Sequence, residues 1–422
     1  MPTADVVVIG AGLAGLTCAA DLAERGARVF LAAKGMATTH WTHGGLDVAA
    51  PNGASTPRVG VRVLAGVDGH PYQVVHADVD ASVEAHRSRM DAAGIGLVGS
   101  LDDRLVEVPT ALGARRRAAL LPTAQASALQ PWGDDGLLLV GFRRYRDAWA
   151  PFAARNLGAA PWPDGPREVR AVVVELPGVD RLHNINARQL GHRFDEPAWR
   201  QEALAAIAKA VPSGSWRVGM PAVLGIVDHV AALADARRLV APGVFEVPSL
   251  PPSVPGLRLF EAMRLAILAA GGRIQIGFDV VDVERRGDRI EAIHTEAASR
   301  TLRLAADAFV LATGGIGGAG LRADAGGTIH ERVFGLPVTA PPRDAWFSDD
   351  PLVPHPIETV GIRTDDSLRP LGSSGAPALV NVRVVGSALA GLRYLEERSG
   401  DGVALASAHR VARALSVARA AA

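Results

Sequence analysis

The sequence predicts an α/β fold: a domain built on a largely parallel sheet, interrupted by an inserted substrate or cap domain. Three observations predict it. The chain opens on a strand, turn, helix and strand whose turn carries glycines at the spacing G-x-G-x-x-G. Between 97 and 256 the texture changes to short apolar runs, helical stretches and many prolines. Far downstream, the apolar run 308–312 ends in Thr313-Gly314-Gly315, a second strand-to-glycine turn that returns the chain to the first sheet.

Val6-Val-Val-Ile9 is a β-branched run suited to a strand buried on both faces. Gly10 permits the tight turn that follows, Gly12 lets the backbone approach a pyrophosphate, and Gly15 lets the helix lie close on the strand. Free N–H groups at the start of that helix attract an anion. Gly10, Ala11, Gly12, Leu13, Ala14 and Gly15 are therefore candidate cofactor-binding residues. The helix carries Leu13, Leu16, Ala20 and Ala23 on one face, and Gly26 closes it. The apolar run 28–32 completes a β-α-β unit, the context in which this glycine spacing indicates a bound adenine dinucleotide. One expected feature is missing. A carboxylate usually ends the second strand to hold ribose hydroxyls, whereas this chain has Ala32, Ala33 and Lys34. Ala33 and Lys34 are still candidates for cofactor contact, with Lys34 either meeting a phosphate or lying in solvent. The gap disfavours a freely exchanging NAD.

Bulk composition narrows the function. At 422 residues the chain accommodates two or three domains. Lys+Arg and Asp+Glu are both 44, so no net field points to nucleic acid. The one cysteine, Cys18, forms no internal disulfide and leaves no Cys-based zinc or iron–sulfur site, and no metal site is expected. A cytoplasmic address fits. No uninterrupted apolar run of about 18 to 20 residues is present to span a bilayer, so membrane association is expected only through a partner or a surface.

Along the chain, residues 1–96 read as the first part of the cofactor domain. Within them Thr38-Thr-His40-Trp-Thr-His43-Gly44-Gly45-Leu46-Asp47 is polar, aromatic and glycine-paired. In a flavoprotein such a segment passes over the isoalloxazine ring, where glycine gives clearance. Gly44, Gly45 and Leu46 are candidate cofactor contacts; His40 and His43 are candidate active-site groups or simply loop histidines. A helix is predicted over 77–94. Residues 97–256 read as the inserted substrate or cap domain, with apolar runs at 137–142, 169–176 and 244–247 and helices at 196–211 and 228–240. In it Arg115-Arg-Arg117 is a solvated face or an anion site, and His183 is a proton acceptor or a structural histidine.

The rigid turn Leu250-Pro-Pro-Ser-Val-Pro-Gly-Leu-Arg258 leads into a helix over 257–270. Ser253 and Arg258 lie at its mouth, an anion site or a plain hinge. Residues 257–335 then supply that helix, a β-meander and the return strand, with the turn Arg286-Gly-Asp288 suiting a hairpin. Thr313, Gly314 and Gly315 are the second candidate cofactor turn. Residues 336–377 form an interface segment carrying Trp346, His355, Asp365 and Arg369, and 378–422 a C-terminal strand and helix. Gly386, Ser387, Gly402 and Val403 are candidates there, since a helix start over 403–418 can face a flavin's pyrimidine carbonyl, where negative charge gathers on reduction. Separated turns converging on one extended cofactor are the pattern of FAD, so the fold is read as a Rossmann-like domain of the two-dinucleotide-domain flavoprotein type. An oxidoreductase would place a base and an anion-holding Arg fork beside the flavin. His43, His183 and His355 are the candidates for the base, Arg258 and Arg369 for the substrate anion.

These residues resemble the B subunit of bacterial anaerobic glycerol-3-phosphate dehydrogenase. The likeness is carried by the segment 8–16, His43-Gly-Gly-Leu-Asp47, His70-Pro-Tyr72, Leu112-Gly113, Glu175-Leu-Pro177, Met220-Pro-Ala222, the proline turn 250–258, Gly361-Ile-Arg-Thr-Asp-Asp-Ser-Leu-Arg-Pro370 and Gly386-Ser387. The proline turn is its most specific part. The resemblance implies a flavin protein within a complex that oxidises sn-glycerol 3-phosphate to dihydroxyacetone phosphate, with electrons passing to a quinone and on to fumarate or nitrate in anaerobic respiration and glycerol metabolism. It implies a companion A subunit that carries FAD and an iron–sulfur protein that tethers the pair to the inner membrane. It also implies FMN in the B subunit, whereas the glycine motif holds a pyrophosphate that FMN lacks and so favours FAD. Two other readings stay open: an electron-relay or assembly protein without substrate turnover, and an FAD-dependent reductase of another small acid.

Overall fold

Strand β1 (Ala4–Ile9) is buried along its whole length, as the apolar run Val6–Ile9 demands of a central parallel strand. The computed structural model describes residues 4–129, 132–162, 165, 167–179, 181, 183–297 and 300–420. In it β1 pairs in parallel with β2 (Val29–Ala33) on one side and with the strand Arg300–Leu311 on the other. The sheet runs, edge to edge, Arg273–Ile276, β2, β1, Arg300–Leu311, Arg289–Ala297 and Asp279–Arg286, with Val382–Val384 added alongside Arg300–Leu311. That long strand has two jobs. Its last residues pair in parallel with β1 and with Val382–Val384, and its first half closes an antiparallel meander.

Helix α1 (Leu13–Glu24) links β1 to β2 and is buried from Ala14 to Ala23. It packs against the last helix, Gly400–Ala420, and against Val254–Ala269. Cys18 is fully buried within it. An ion network joins three helices under this layer. Arg89, on Val79–Ala92, pairs with Asp21 and Glu24 of α1, and His409 of the last helix reaches Asp21 at 2.7 Å.

Between these two parts of the main sheet the chain builds a second, parallel sheet in the order Phe245–Val247, Trp216–Pro221, Gly136–Phe142 and Val169–Val174. Its helices include Pro197–Ala210 and His229–Leu239, with Pro197 at the first position, where its missing N–H has no acceptor to lose. A helix absent from the sequence expectation, Ala187–Asp195, precedes them. Its signal was the capping box in which Asn186 and Gln189 bond reciprocally.

The proline turn returns the chain to the main sheet. Ser253 caps the helix Val254–Ala269 by accepting from the Gly256 N–H, and its hydroxyl donates to the Thr42 carbonyl at 2.5 Å. The helix entry is thus fastened to the 38–47 loop. Predicted boundaries move: this helix begins at Val254 instead of 257, the last helix begins at Gly400 instead of 403, and the helix expected over 77–94 is Val79–Ala92.

Candidate functional site

The glycine turns at the carboxyl ends of the parallel strands meet. Gly10 has φ +114°, and a Cβ there would lie 2.3 Å from the Ala312 carbonyl oxygen, so only glycine lets the first turn touch the second. A Cβ on Gly15 would lie 2.0 Å from the Gly10 carbonyl oxygen, which explains the third glycine by helix–strand packing. Gly12 differs: its Cβ would meet nothing nearer than Ala37 Cβ at 3.8 Å. Helix α1 starts there without a side-chain cap, and Leu16 is the residue whose N–H closes onto Gly12. The preceding N–H groups of Leu13, Ala14 and Gly15 are the orphan donors of a helix start.

Gly386 and Ser387 join the same place. The Gly315 N–H donates to Ser387 Oγ at 3.3 Å, and a Cβ on Gly386 would press on Ala14 Cβ at 2.7 Å. A cavity of about 310 Å³ opens beside these turns, lined by Gly10, Ala11, Ala33, Lys34, Asp279 and Thr313 among others. Thr313 Oγ1 is buried there without a hydrogen-bond partner among the described residues. An open backbone face, unsatisfied helix-start donors and an orphaned hydroxyl fit a dinucleotide.

A second cavity, about 370 Å³, is lined by Trp41, His43 and Asp47 of the 38–47 loop and by Arg116, Arg398 and Asp401 among others. Tyr394 lines it too, and its hydroxyl lies 3.8 Å from where a Gly317 Cβ would stand, next to the Thr313–Gly315 turn. The Asp47 N–H donates to Asp401 Oδ2 at 2.9 Å, and Arg116 pairs with the Asp47 carboxylate. His43 is 8% exposed, and its Nε2 and the Arg116 Nε are both buried with no hydrogen-bond partner among the described residues. Burial, reinforced by Arg116 and Arg398, pushes His43 down to about 3, so the ring is uncharged at neutral pH. Burial raises Asp47 in spite of Arg116, and burial together with the Asp47 charge lifts Asp401 to about 7.

The sign of that last shift sets a pH dependence. A carboxyl that ionises near 3.8 unfolded and near 7 folded holds more protons in the folded state across that window, so its contribution to stability falls as pH rises from about 4 to about 7 and then levels off. Asp401→Asn removes this decline. Relative to the parent chain, the variant is expected to gain stability steadily across that window, as measured by denaturant unfolding at a series of pH values.

The structure separates the other candidates. Arg258 lines neither of these cavities: its guanidinium is buried against Glu246 at 2.6 and 2.9 Å and donates to the carbonyls of Leu224 and Gly225. Its charge is matched by Glu246, and the cavity it does line, of about 270 Å³, is a third one shared with His229, Arg237 and Glu246. Arg369 is likewise tied to Asp365 within its own turn at 2.7 Å. His355 accepts the Ser348 N–H and caps the turn Pro356–Thr359. His183 is exposed in the second-sheet region and lines neither cavity.

Gly44 and Gly45 are glycine for a reason internal to the protein. A Cβ on Gly44 would meet Pro255 at 2.8 Å, one on Gly45 the Leu120 carbonyl at 2.2 Å, and the Leu46 N–H bonds to that carbonyl. Gly402 and Val403 also turn inward. The Gly402 N–H donates to the Asp47 carbonyl, its Cβ would lie 2.1 Å from Tyr72 Oη, and Val403 is fully buried. Because the helix starts earlier, Gly400 and Asp401 face the second cavity in their place.

Sequence reasoning missed Asp47, Asp401 and Arg398, and it left Arg116 inside a charge cluster. Strand alternation was the available signal for Arg116. Arg115 and Arg117 both pair with Glu107, and Arg116 between them points the other way, onto Asp47.

Comparison with known proteins agrees with this geometry. The model of a family described as "FAD binding domain" matches residues 5–403. A protein of Halobacterium salinarum, named as a probable B subunit of anaerobic glycerol-3-phosphate dehydrogenase, is 34% identical over 418 residues, covering 96% of both chains. Proteins named as the B subunit of the same dehydrogenase from Yersinia pestis and Pectobacterium carotovorum are 30% and 31% identical, each match covering 97% of both chains. Among the described residues no helix is long and apolar enough to cross a membrane. FAD is the flavin that the matching family and the first cavity agree on. The chain belongs to the FAD-binding domain family, as a flavoprotein oxidoreductase of the group named for the B subunit of anaerobic glycerol-3-phosphate dehydrogenase.

Proposed function

We propose that this chain is a flavin protein of a complex that oxidises sn-glycerol 3-phosphate to dihydroxyacetone phosphate, and that the second cavity receives the substrate. The observation that carries the reading is an uncharged His43, its buried Nε2 without a hydrogen-bond partner among the described residues, set in one cavity with Arg116 and Arg398. FAD supplies the two-electron acceptor. The chain's own part is to hold the phosphate by charge-assisted bonds from the two arginines and to take the hydroxyl proton at Nε2 of His43. Electrons then leave through the A subunit and an iron–sulfur protein to a quinone, those companions holding the chain at the inner membrane.

One observation favours a second reading, a relay or assembly protein without turnover of its own: Arg116 already pairs with Asp47. Stopped-flow mixing of the isolated, FAD-loaded chain with glycerol 3-phosphate separates the two. Direct bleaching of the flavin supports turnover here, and Arg116→Ala is then expected to raise the half-saturating concentration about tenfold or more, the worth of a hydrogen bond to a charged group. Bleaching only in the presence of the A subunit supports the relay. Bleaching by a different small hydroxy acid, and not by glycerol 3-phosphate, overturns the substrate.

A further inference from the structure

The first strand pair lacks the carboxylate that normally ends β2, and the structure brings one from elsewhere. After the edge strand Arg273–Ile276 the chain folds over the end of β2: the N–H groups of Gly277 and Phe278 both donate to the Ala33 carbonyl, at 2.8 and 3.0 Å. The next residue is Asp279. It lines the first cavity together with Gly10, Ala33 and Lys34, although it lies far along the sequence from all three.

We infer that Asp279 takes the place of the missing β2 carboxylate and accepts hydrogen bonds from the 2′- and 3′-hydroxyls of the adenosine ribose of FAD. Lys34 Nζ lies 2.7 Å from Asp279 Oδ2, and Arg332 approaches the same oxygen at 3.7 Å. Both cations therefore sit on Oδ2, which leaves Oδ1 to accept from donors in the cavity. The arrangement also answers an electrostatic difficulty. A bare carboxylate beside a pyrophosphate repels it, and Lys34 with Arg332 cancels that charge while fixing the carboxylate's orientation. Lys34 is accordingly a positioning residue: its charge is matched by Asp279, which makes it a poor phosphate ligand and a good clamp. This inference rests on FAD binding alone and is independent of which substrate the second cavity takes.

The test uses apoprotein titrated with FAD and with an FAD analogue whose adenosine is 2′,3′-dideoxy, following quenching of flavin fluorescence. The parent chain is expected to bind the analogue about tenfold or more weakly than FAD, as loss of hydrogen bonds to a charged acceptor implies. Asp279→Asn is expected to bind FAD more weakly and to lose most of that discrimination, with the thermal midpoint of its apoprotein unchanged because the side chain is one-third exposed. Equal binding of FAD and the analogue by the parent chain overturns the inference, whatever the variant does. So does a variant that still discriminates as the parent does.

Discussion

Glu246→Ala is expected to destabilise the protein by about 3 to 5 kcal/mol, the usual consequence of removing one partner of a buried ion pair. Glu246 has no exposed side-chain surface and Arg258 very little. The carboxylate accepts both terminal nitrogens of Arg258 and also the Leu224 N–H. Alanine would leave a guanidinium without its carboxylate between the helix Val254–Ala269 and the 222–225 loop, at the wall of a cavity of about 270 Å³ that Glu246 and Arg258 both line. Because the penalty comes from the unpaired charge, the double variant Glu246→Leu with Arg258→Met is expected to recover much of the loss. Denaturant unfolding with the slope held constant measures both. An equal loss in the double variant would mean that packing, and not the orphaned charge, governs this site.

Gly12→Val is expected to leave the fold intact and to lower FAD affinity by about a hundredfold, as loss of two or more hydrogen bonds to an anion implies. Gly12 has φ −73°, open to any residue, and space beyond its Cβ position as far as Ala37. A Cβ there makes only ordinary van der Waals contact with the protein. A valine does fill the volume over the first-turn N–H groups of Leu13, Ala14 and Gly15, where a pyrophosphate would lie. Gly10→Val is the contrasting case. Its φ of +114° and the Ala312 carbonyl 2.3 Å from its Cβ position predict failure to fold, not selective loss of cofactor. Flavin absorbance per chain and the melting profile of each purified variant distinguish the two outcomes.

What could be read from the sequence follows the range of the interactions involved. The first β-α-β unit was legible because its strand, turn and helix are each written in adjacent residues, and the return strand with Thr313-Gly314-Gly315 was legible for the same reason. The second cavity was not. Asp47 and Asp401 lie at opposite ends of the chain, and nothing local in either marks the 2.9 Å bond between them. Arg258 shows the converse case: its place at a helix mouth suggested an anion site, and the carboxylate that meets its charge arrives from a strand in the other sheet, out of local view. Gly44 and Gly45 suggested clearance for a ring and Gly402 a helix start facing one, but backbone and side chains of this protein fill the space beside all three. A glycine announces close approach without saying of what.

Heat release of the bound cofactor from the purified chain, with its mass measured and its amount set against protein, is the most direct test of the central claim that these turns hold a dinucleotide. FAD at close to one per chain is the expected result. FMN in its place, or protein that stays colourless after incubation with FAD, would contradict it.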